Sequence, residues 1–288
     1  MNSRLRPPSR WNLTHLTAAI KEQLPHLRLA DRDALLCYLT GLSRTQLYAW
    51  PSRLTNSLSE SQITSVLSRI KAGEPLDLVL GYCHFHSLKI NLETGIFCPR
   101  PETEMLVDLA IERLPAGASV LELGTGSGAL TLAIKHQRPD VRCTATDISR
   151  TALDCAAGNA TALHLDIEWL HGSWFEAITG RTFDLILSNP PYISTDYAGL
   201  PALLKHEPCQ ALASGPEGLD AIRHIASRGR SYMNADNGAG WLLLEHGADQ
   251  AQAIQRLLTH HNWTNIHCLE DAAGLDRITL ATAREYPA

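Results

Sequence analysis

A short stretch in the second half of the chain, Asn189-Pro190-Pro191-Tyr192, combines residue types that could hold a planar polar substrate. It follows an apolar run, residues 185–187, which predicts a buried parallel strand. Two prolines cannot continue a central strand, so the chain must leave the sheet here with free carbonyl groups. The Asn189 side-chain oxygen and the Pro190 carbonyl could each accept one N–H of an NH2 group, while Tyr192 offers a flat face. The alternative interpretation is a proline-rich turn that only ends a strand.

A glycine-rich loop follows an earlier apolar run at residues 120–123. Glycines occupy alternate positions from Gly124 to Gly128, and a helix is predicted from Ala129. Such a loop turns sharply and lets the backbone approach a ligand closely, and the N-terminus of a helix favours bound anions. Asp147 ends the next predicted strand, 23 residues after Gly124, where a carboxylate could accept both hydroxyls of a ribose.

The spacing of these glycines distinguishes two kinds of cofactor. Dinucleotide-binding loops usually have the pattern Gly-x-Gly-x-x-Gly, whereas this loop is Gly-x-Gly-x-Gly. S-adenosylmethionine has no pyrophosphate, and it needs a ribose acceptor, an adenine slot and room for its methionine end. Trp174 follows the third predicted strand and could flank the adenine, although a core tryptophan is an equal alternative. The sequence therefore favours S-adenosylmethionine over a dinucleotide.

Length and composition predict a cytoplasmic protein with a large core. The chain has 288 residues, of which 44% are hydrophobic, and no apolar run reaches the roughly 20 residues that span a bilayer. The polar N-terminus lacks the apolar segment of a signal peptide. The seven cysteines are scattered without a Cys-x-x-Cys pair, which indicates reduced thiols. We expect a monomer that does not contact membranes.

Charge is distributed unevenly along the chain. The net charge is -5, but residues 1–75 contain ten Lys and Arg against five Asp and Glu, and residues 76–288 contain fifteen against twenty-five. An acidic second part argues against direct DNA binding, because nucleic-acid-binding proteins need a basic surface. The basic first part predicts a separate domain that could meet an acidic or RNA-containing partner, or could have an ordinary solvated surface. We expect this domain to serve substrate recognition through its basic residues, among them Arg32, Arg44, Arg53, Arg69 and Lys71.

The N-terminal part is predicted to be helical. Periodic apolar residues predict short helices over 11–72, the second starting at Asp31 as its N-cap and ending near Gly41. Residues 82–97 alternate like a β-hairpin whose turn falls at 91–95. His84 and His86 would share one strand face, but no acid or cysteine stands at ligand spacing, so no metal site is expected.

From residue 119 the pattern alternates between strand and helix, which is typical of a parallel sheet covered by helices. We predict domains at 1–75 (helical), 76–98 (hairpin linker) and 99–288. The predicted strands are 119–123, 141–146, 166–170, 183–188, 240–245, 264–269 and 275–281.

Several segments together resemble the HemK/PrmC family, the peptide chain release factor glutamine methyltransferases. The resemblance extends from about Asp31 to the end of the chain. The matching segments are Gly73-Glu74-Pro75, Arg100-Pro101-Glu102-Thr103, Gly124 to Gly128, Asp147-Ile148-Ser149, Ser188 to Tyr192, Glu207-Pro208, Gly218-Leu219 and Leu244-Glu245-His246-Gly247. The chain departs from the family at Glu122, where Asp is frequent, and at Ser173, where an acid usually precedes the tryptophan.

This resemblance implies a Rossmann-like class I S-adenosylmethionine-dependent methyltransferase domain, with a mostly parallel seven-stranded sheet, after a small all-α bundle and a β-hairpin linker. It implies methylation of the side-chain amide of a glutamine in the Gly-Gly-Gln loop of peptide chain release factors. The implied S-adenosylmethionine-binding residues are Gly124, Thr125, Gly126, Ser127, Gly128, Asp147, Trp174 and Asn189. The implied substrate-binding residues are Asn189, Pro190, Pro191 and Tyr192, of which Asn189, Pro190 and Tyr192 are the catalytic candidates.

Three other functions stay open at this point. Ribosomal-protein glutamine methyltransferases share Asn-Pro-Pro-Tyr but typically have Cys-Thr-Gly-Ser-Gly in the loop, whereas Gly124 stands here. An adenine amino-methyltransferase acting on DNA or RNA would use the same acceptor cluster, but it would need a basic surface around the site. A cofactor-binding module without catalysis would not need the Asn189 cluster. Glu207 and Glu245 are possible proton acceptors, although a structural role is the stronger interpretation for both.

Overall fold

The computed structural model of the protein describes residues 12–50, 59–234 and 240–284. The chain divides into two compact units, Met1–Gly81 and Tyr82–Ala288. The predicted domain boundary at residue 75 lies one short helix before this division, because Leu76–Leu80 is helical and belongs to the first unit.

The described part of the first unit is helical, as the sequence predicts. Its helices are α1 Leu13–Gln23, α2 Leu29–Thr40, α3 Arg44–Ala49, α4 Glu60–Lys71 and α5 Leu76–Leu80. The predicted apolar face of α4 is buried, and Ser43 and Ser59 start α3 and α4 with capping boxes that satisfy exposed backbone N–H groups. The prediction that Asp31 caps α2 is wrong. Arg28 occupies the N-cap position, and Asp31 lies in the first turn, where it accepts a hydrogen bond from Arg28 Nε at 2.9 Å.

The second unit begins with the predicted hairpin, but its turn is not where the sequence places it. Strands β1 Tyr82–Phe85 and β2 Leu88–Asn91 pair antiparallel, so the turn is His86-Ser87 and not 91–95. Both turn residues have positive φ, 47° and 66°. His86 therefore leaves the strand and does not share a face with His84. It tethers the hairpin instead, because its Nε2 lies 2.9 Å from Asp108 Oδ1.

A seven-stranded sheet with flanking helices forms the rest of the second unit. The strands are β3 Ser119–Leu123, β4 Arg142–Asp147, β5 Glu168–His171, β6 Leu185–Ser188, β7 Trp241–Glu245, β8 Thr264–Glu270 and β9 Asp276–Thr282. The helices are α6 Glu104–Arg113, α7 Ala129–Gln137, α8 Arg150–Leu163, α9 Leu200–Leu203, α10 Cys209–Leu212, α11 Asp220–Arg228 and α12 Ala251–His260, with short 3-10 turns at Pro101–Thr103, Glu176–Ile178 and Gly229–Tyr232. All seven predicted strands are present, and each starts and ends within two residues of its prediction.

The order of the strands creates a ligand-binding position at the centre of the sheet. The order is β5-β4-β3-β6-β7-β9-β8, with only β9 antiparallel to its neighbours. The chain builds outward from β3 in one direction and then restarts at β6 on the other side. Ligands bind at such a switch point, beyond the carboxyl ends of the strands. Ser188 Oγ ties the two strand ends together by donating to Leu123 O at 2.6 Å. The predicted Rossmann-like fold is confirmed.

Among the described residues, no helix combines the length and the apolar character that crossing a membrane requires. Within the same residues, no group of three or more His, Cys, Asp and Glu side chains is arranged to hold a metal ion.

Candidate active site

The glycine-rich loop and the Asn189 cluster meet at the switch point, because they follow the neighbouring strands β3 and β6. A cavity of about 580 Å³ opens beside them. The predicted residues that line it are Gly124, Thr125, Gly126, Ser127, Asp147, Trp174, Asn189 and Pro191. Pro190 and Tyr192 line a second, smaller cavity of about 90 Å³ instead. Asn189 lines both cavities, as do Phe97 and Ala211.

The loop after β3 needs its glycines for two different reasons. Gly124, Gly126 and Gly128 all have positive φ, which favours residues without a Cβ. A Cβ on Gly126 would meet no atom within 4 Å, whereas one on Gly128 would lie 2.9 Å from Ala156 Cβ and 3.0 Å from the Trp169 ring. Gly126 therefore keeps open space beside the cavity, and Gly128 allows α7 to pack closely on its neighbours.

A buried carboxylate, Glu122, anchors the glycine-rich loop by hydrogen bonds. Its Oε2 accepts hydrogen bonds from Thr125 Oγ1 at 2.7 Å and from Thr131 N at 3.1 Å, and also from the Thr131 hydroxyl. Burial raises the pKa of Glu122 to about 7, although the Thr131 and Thr125 hydrogen bonds oppose the shift. Glu122 thus connects the loop to the first turn of α7.

Asp147 lies at the carboxyl end of β4, the strand next to β3. One carboxylate oxygen accepts from Gly126 N at 2.9 Å and the other from Ser149 N at 2.8 Å. Burial raises the pKa of Asp147, while the backbone hydrogen bonds from Ser149 and Gly126 oppose the shift. Each oxygen keeps a second lone pair, so Asp147 can shape the loop and still accept hydroxyl groups from a ligand.

Aromatic side chains form one wall of the cavity. Trp174 has a φ of 51°, and its carbonyl accepts from Thr146 Oγ1 at 3.1 Å, which fixes a strained backbone beside the loop. The ring of His224 lies 6.4 Å from that of Trp174 at an interplanar angle of 34°. Burial, followed by the positive charge of Arg228, lowers the pKa of His224, which favours the neutral ring. The two rings offer flat surfaces to a heterocycle.

The segment after the hairpin also contributes to the wall of the cavity. Gly95, Ile96, Phe97 and Pro99 all line it. Asn159 anchors β2 of the hairpin to the glycine-rich loop, because its Nδ2 donates to both Asn91 O at 3.0 Å and Ser127 O at 3.1 Å. The hairpin is therefore anchored to the glycine-rich loop, and the segment that follows it lines the cavity.

The Asn189 side chain has a defined orientation. Its Nδ2 donates to Thr103 Oγ1 at 3.1 Å, so the amide oxygen is left for another partner. Pro190 is buried beside it, and Tyr192 lies in the second cavity, where burial raises the pKa of its phenol to about 12. The Tyr192 carbonyl accepts from Gln250 Nε2 at 2.9 Å, which fixes the chain after the two prolines.

An ion pair borders the second cavity. Arg100 Nη2 lies 2.5 Å from Glu207 Oε2, and Cys98 N donates to the other carboxylate oxygen at 3.1 Å. The guanidinium of Arg100 also stacks over the Phe97 ring at 4.9 Å. Because both oxygens of Glu207 are already engaged, the structural interpretation of this residue is favoured over that of a proton acceptor.

Sequence reasoning did not identify Thr103 or His224 as site residues, and it noted Glu122 only as a departure from the family. Thr103 lies 86 positions before Asn189 in the chain, so no local spacing could connect the two. An acid inside an otherwise apolar strand, two residues before Gly124, was the available signal for Glu122.

Two family descriptions match the chain. Residues 13–81 match the PrmC N-terminal domain, and residues 87–204 match the methyltransferase small domain. The first match ends where the structure divides the chain.

Individual relatives match over most of their length. The release factor glutamine methyltransferase of Coxiella burnetii is 40% identical over 254 residues, which are 87% of this chain and 90% of the relative. That of Aliivibrio fischeri is 35% identical over 276 residues, 92% of this chain and 96% of the relative. A methyltransferase structure from Pyrococcus furiosus superposes with a TM-score of 0.51 at 16% identity, covering 78% of this chain and 98% of that one. The last likeness concerns the fold alone.

Proposed function

The chain belongs to the release factor glutamine methyltransferase family, and we propose that it transfers a methyl group from S-adenosylmethionine to a glutamine side-chain nitrogen in the Gly-Gly-Gln loop of a peptide chain release factor. The observation that carries the proposal is the place of Asn189. It lines both the larger cavity, beside the glycine-rich loop, and the smaller cavity at Pro190 and Tyr192.

The residues around the larger cavity fit S-adenosylmethionine. Asp147 supplies oxygens for a ribose, Trp174 and His224 supply flat surfaces for an adenine, and Gly126 leaves open space for the methionine end. When bound, S-adenosylmethionine supplies an electrophilic methyl group on a positively charged sulfur. Asn189 lines both cavities, which supports a methyl transfer from a cofactor in the larger cavity to a group held in the smaller one.

The acceptor cluster would act mainly by positioning. An amide nitrogen is a poor nucleophile because its lone pair is delocalised into the carbonyl group. If Asn189 Oδ1 and the Pro190 carbonyl accept the two N–H groups, the nitrogen is held in place and its lone pair faces the larger cavity. The same two oxygens stabilise positive charge that develops on the nitrogen, since they are fixed before the reaction. The amide nitrogen would gain a bond to the methyl carbon as the bond from that carbon to the sulfonium sulfur breaks. The neutral thioether would leave, and the nitrogen would release one proton to solvent.

Incubation with labelled S-adenosylmethionine tests this function. We expect label on the loop glutamine of intact release factor and none on adenine-containing DNA. Preferential labelling of a ribosomal protein, or labelling of DNA, would contradict the proposal in favour of a related acceptor.

The variant Asn189→Ala separates chemistry from cofactor binding. Turnover should fall by about 100-fold or more, the range found when one preorganised polar group is removed, while affinity for S-adenosylmethionine stays within a few fold. Calorimetry measures the second quantity. Normal turnover in this variant would mean that the Asn189 cluster has no role in the reaction and only forms the turn that ends β6.

A further inference from the structure

A second buried carboxylate, Glu245, lies next to the Asn189 cluster and has no place in the function described above. It ends β7, and Leu244 pairs with Ser188, so the parallel register places Glu245 beside Asn189 at the same edge of the sheet. Its relative exposure is 1%, and among the described residues its Oε2 has no hydrogen-bond partner. A buried acid with an unsatisfied oxygen destabilises a fold, so packing alone does not explain it.

Thr103 contacts Asn189 directly and also interacts with Glu245. Its hydroxyl oxygen accepts the hydrogen bond from Asn189 Nδ2, so the hydroxyl proton is available for an acceptor on the other side. Burial raises the pKa of Glu245 to about 7, and the hydroxyls of Thr103 and Tyr192 oppose this shift as hydrogen-bond donors. Glu245 thus interacts with Thr103, which is hydrogen-bonded to Asn189, and with Tyr192, which belongs to the acceptor cluster.

The orientation of the Asn189 amide decides whether the cluster can work. With Nδ2 bonded to Thr103, Oδ1 faces away from Thr103 and can accept an N–H. A rotation of the amide by half a turn would instead present an NH2 group to the NH2 of the substrate, and two donors would oppose each other. A fixed hydroxyl at Thr103 prevents this rotation only if its own proton has a fixed acceptor.

We propose that Thr103 and Glu245 are positioning residues that hold the Asn189 amide with its oxygen toward the methyl acceptor. This inference rests on the proposed function of Asn189. Other charged groups around Glu245 are Glu102, at the turn before α6, and Arg277 on β9, which is already paired with Asp271. The carboxylate form of Glu245 accepts the hydrogen bond from the Thr103 hydroxyl more strongly than the carboxylic acid does, so the arrangement is held most firmly when Glu245 is ionised.

The variants Thr103→Val and Thr103→Ser test the hydroxyl. Valine keeps the shape but cannot accept from Asn189, whereas serine keeps the hydroxyl. We expect kcat to fall about 10- to 100-fold in Thr103→Val, the range that loss of an outer hydrogen-bond partner produces at metal sites. Thr103→Ser should stay within about threefold of the wild type, by the same reasoning. Affinity for S-adenosylmethionine should be unchanged in both variants.

Thr279→Val is the matched control. Thr279 is also buried and also makes a side-chain hydrogen bond, to His246 Nε2 at 2.8 Å, but it pairs with Leu244 and so points to the opposite face of the sheet from Glu245. Its kcat should be unchanged. An equal loss in Thr279→Val and Thr103→Val, or an unchanged kcat in Thr103→Val, would overturn the proposal.

The side-chain NH2 signal of Asn189 gives a readout that does not depend on activity. In ¹⁵N-labelled protein we expect its chemical shift to titrate with a midpoint near pH 7, and the titration to disappear in Glu245→Gln. The kcat of the wild type should rise through the same pH range, and that rise should be absent in Glu245→Gln. An Asn189 signal that does not respond to pH overturns the positioning role. If the wild type fails to label release factor while the signal titrates, only the proposed function fails.

Discussion

Glu122 shows how a single buried acid links the site to stability. Its pKa of about 7 in the folded protein lies above the ordinary value of 4.5, because burial disfavours the charged form. The folded state therefore binds the proton more tightly than the unfolded state does. The stability from this difference is fully present below pH 4.5, and it is lost as pH rises through about 7.

The variant Glu122→Gln should lack this pH dependence. Between pH 5 and pH 8, the free energy of unfolding of the wild type should decrease by up to about 3 kcal/mol more than that of the variant, since one pKa unit corresponds to about 1.4 kcal/mol. Urea unfolding at the two pH values measures the difference. Parallel pH profiles would show that Glu122 is already ionised without penalty.

A second prediction at the residue scale concerns Asp147. Asp147→Ala removes the acceptor for Gly126 N, and with it the proposed contact to the ribose. Calorimetry should show S-adenosylmethionine binding weakened by about 1.5–3 kcal/mol, the range for hydrogen bonds to charged groups. The control Asp166→Ala changes an exposed acid in a different cavity and should leave the affinity unchanged. Unchanged affinity in Asp147→Ala would remove this residue from the cofactor site.

The position of Asn189 could be predicted from the sequence because the two prolines after it force the chain out of the sheet. The partner of its side chain could not be predicted. Thr103 reaches Asn189 only because α6 and β6 pack side by side, and that packing is a property of the folded unit. Local chemistry is visible in the sequence, whereas the groups that orient it come from distant segments.

At the scale of elements, the glycine-rich loop has two functions that substitution can separate. Gly126→Ala and Gly128→Ala both place a Cβ at positive φ, at a cost of about 1–2 kcal/mol in folding. Only Gly128→Ala also pushes against Ala156 and Trp169, which adds about 1–3 kcal/mol. Urea unfolding should therefore rank Gly128→Ala as the less stable variant.

The loss of S-adenosylmethionine affinity, taken relative to the loss of stability, should rank the two variants in the opposite order. The Cβ of Gly126→Ala enters open space beside the cavity, so we expect this variant to lose the larger share of S-adenosylmethionine affinity relative to its loss of stability. Two variants with the same ratio of binding loss to stability loss would contradict this division of roles.

The hairpin shows why some elements could not be located from sequence. Gly95 and its polar neighbours carry the usual turn signal, yet the chain turns at His86 and Ser87, two residues that rarely adopt positive φ. Contacts from another element stabilise this turn, because His86 N donates to Glu104 Oε1 at 2.9 Å. Strands β6 and β7 were predicted correctly because each contains a continuous apolar run, and the burial of such a run does not depend on one turn.

For the whole molecule, the predicted recognition role of the basic first part depends on how much of its positive charge is already paired with nearby acids. Arg44 pairs with Asp33 at 2.8 Å and Arg69 pairs with Glu74 at 2.5 Å, so two of the five cations singled out are locally neutralised. Arg32 donates to Pro25 O and Lys71 to Gln23 Oε1, while Arg53 lies outside the described residues. Exposed aromatic residues add apolar contact area on this unit, with Tyr48 60% and Trp50 50% exposed.

A glutamine side chain is small and abundant, so the Asn189 cluster by itself cannot select one glutamine among many. Selectivity has to come from contacts away from the reacting nitrogen. Every residue that lines the two cavities lies in the second unit, Tyr82–Ala288. The first unit is therefore free to serve recognition of the intact protein substrate without contributing to the binding of the cofactor.

Removal of residues 1–81 tests this division of labour. The shortened protein should bind S-adenosylmethionine within a few fold of the full chain, as measured by calorimetry. Its kcat/KM for intact release factor should fall about 100-fold, which corresponds to about 3 kcal/mol of lost contacts. A short peptide that contains Gly-Gly-Gln is the control, because it lacks the remote surface and both proteins should methylate it equally slowly. Equal activity of both proteins on intact release factor would show that the second unit alone recognises its substrate.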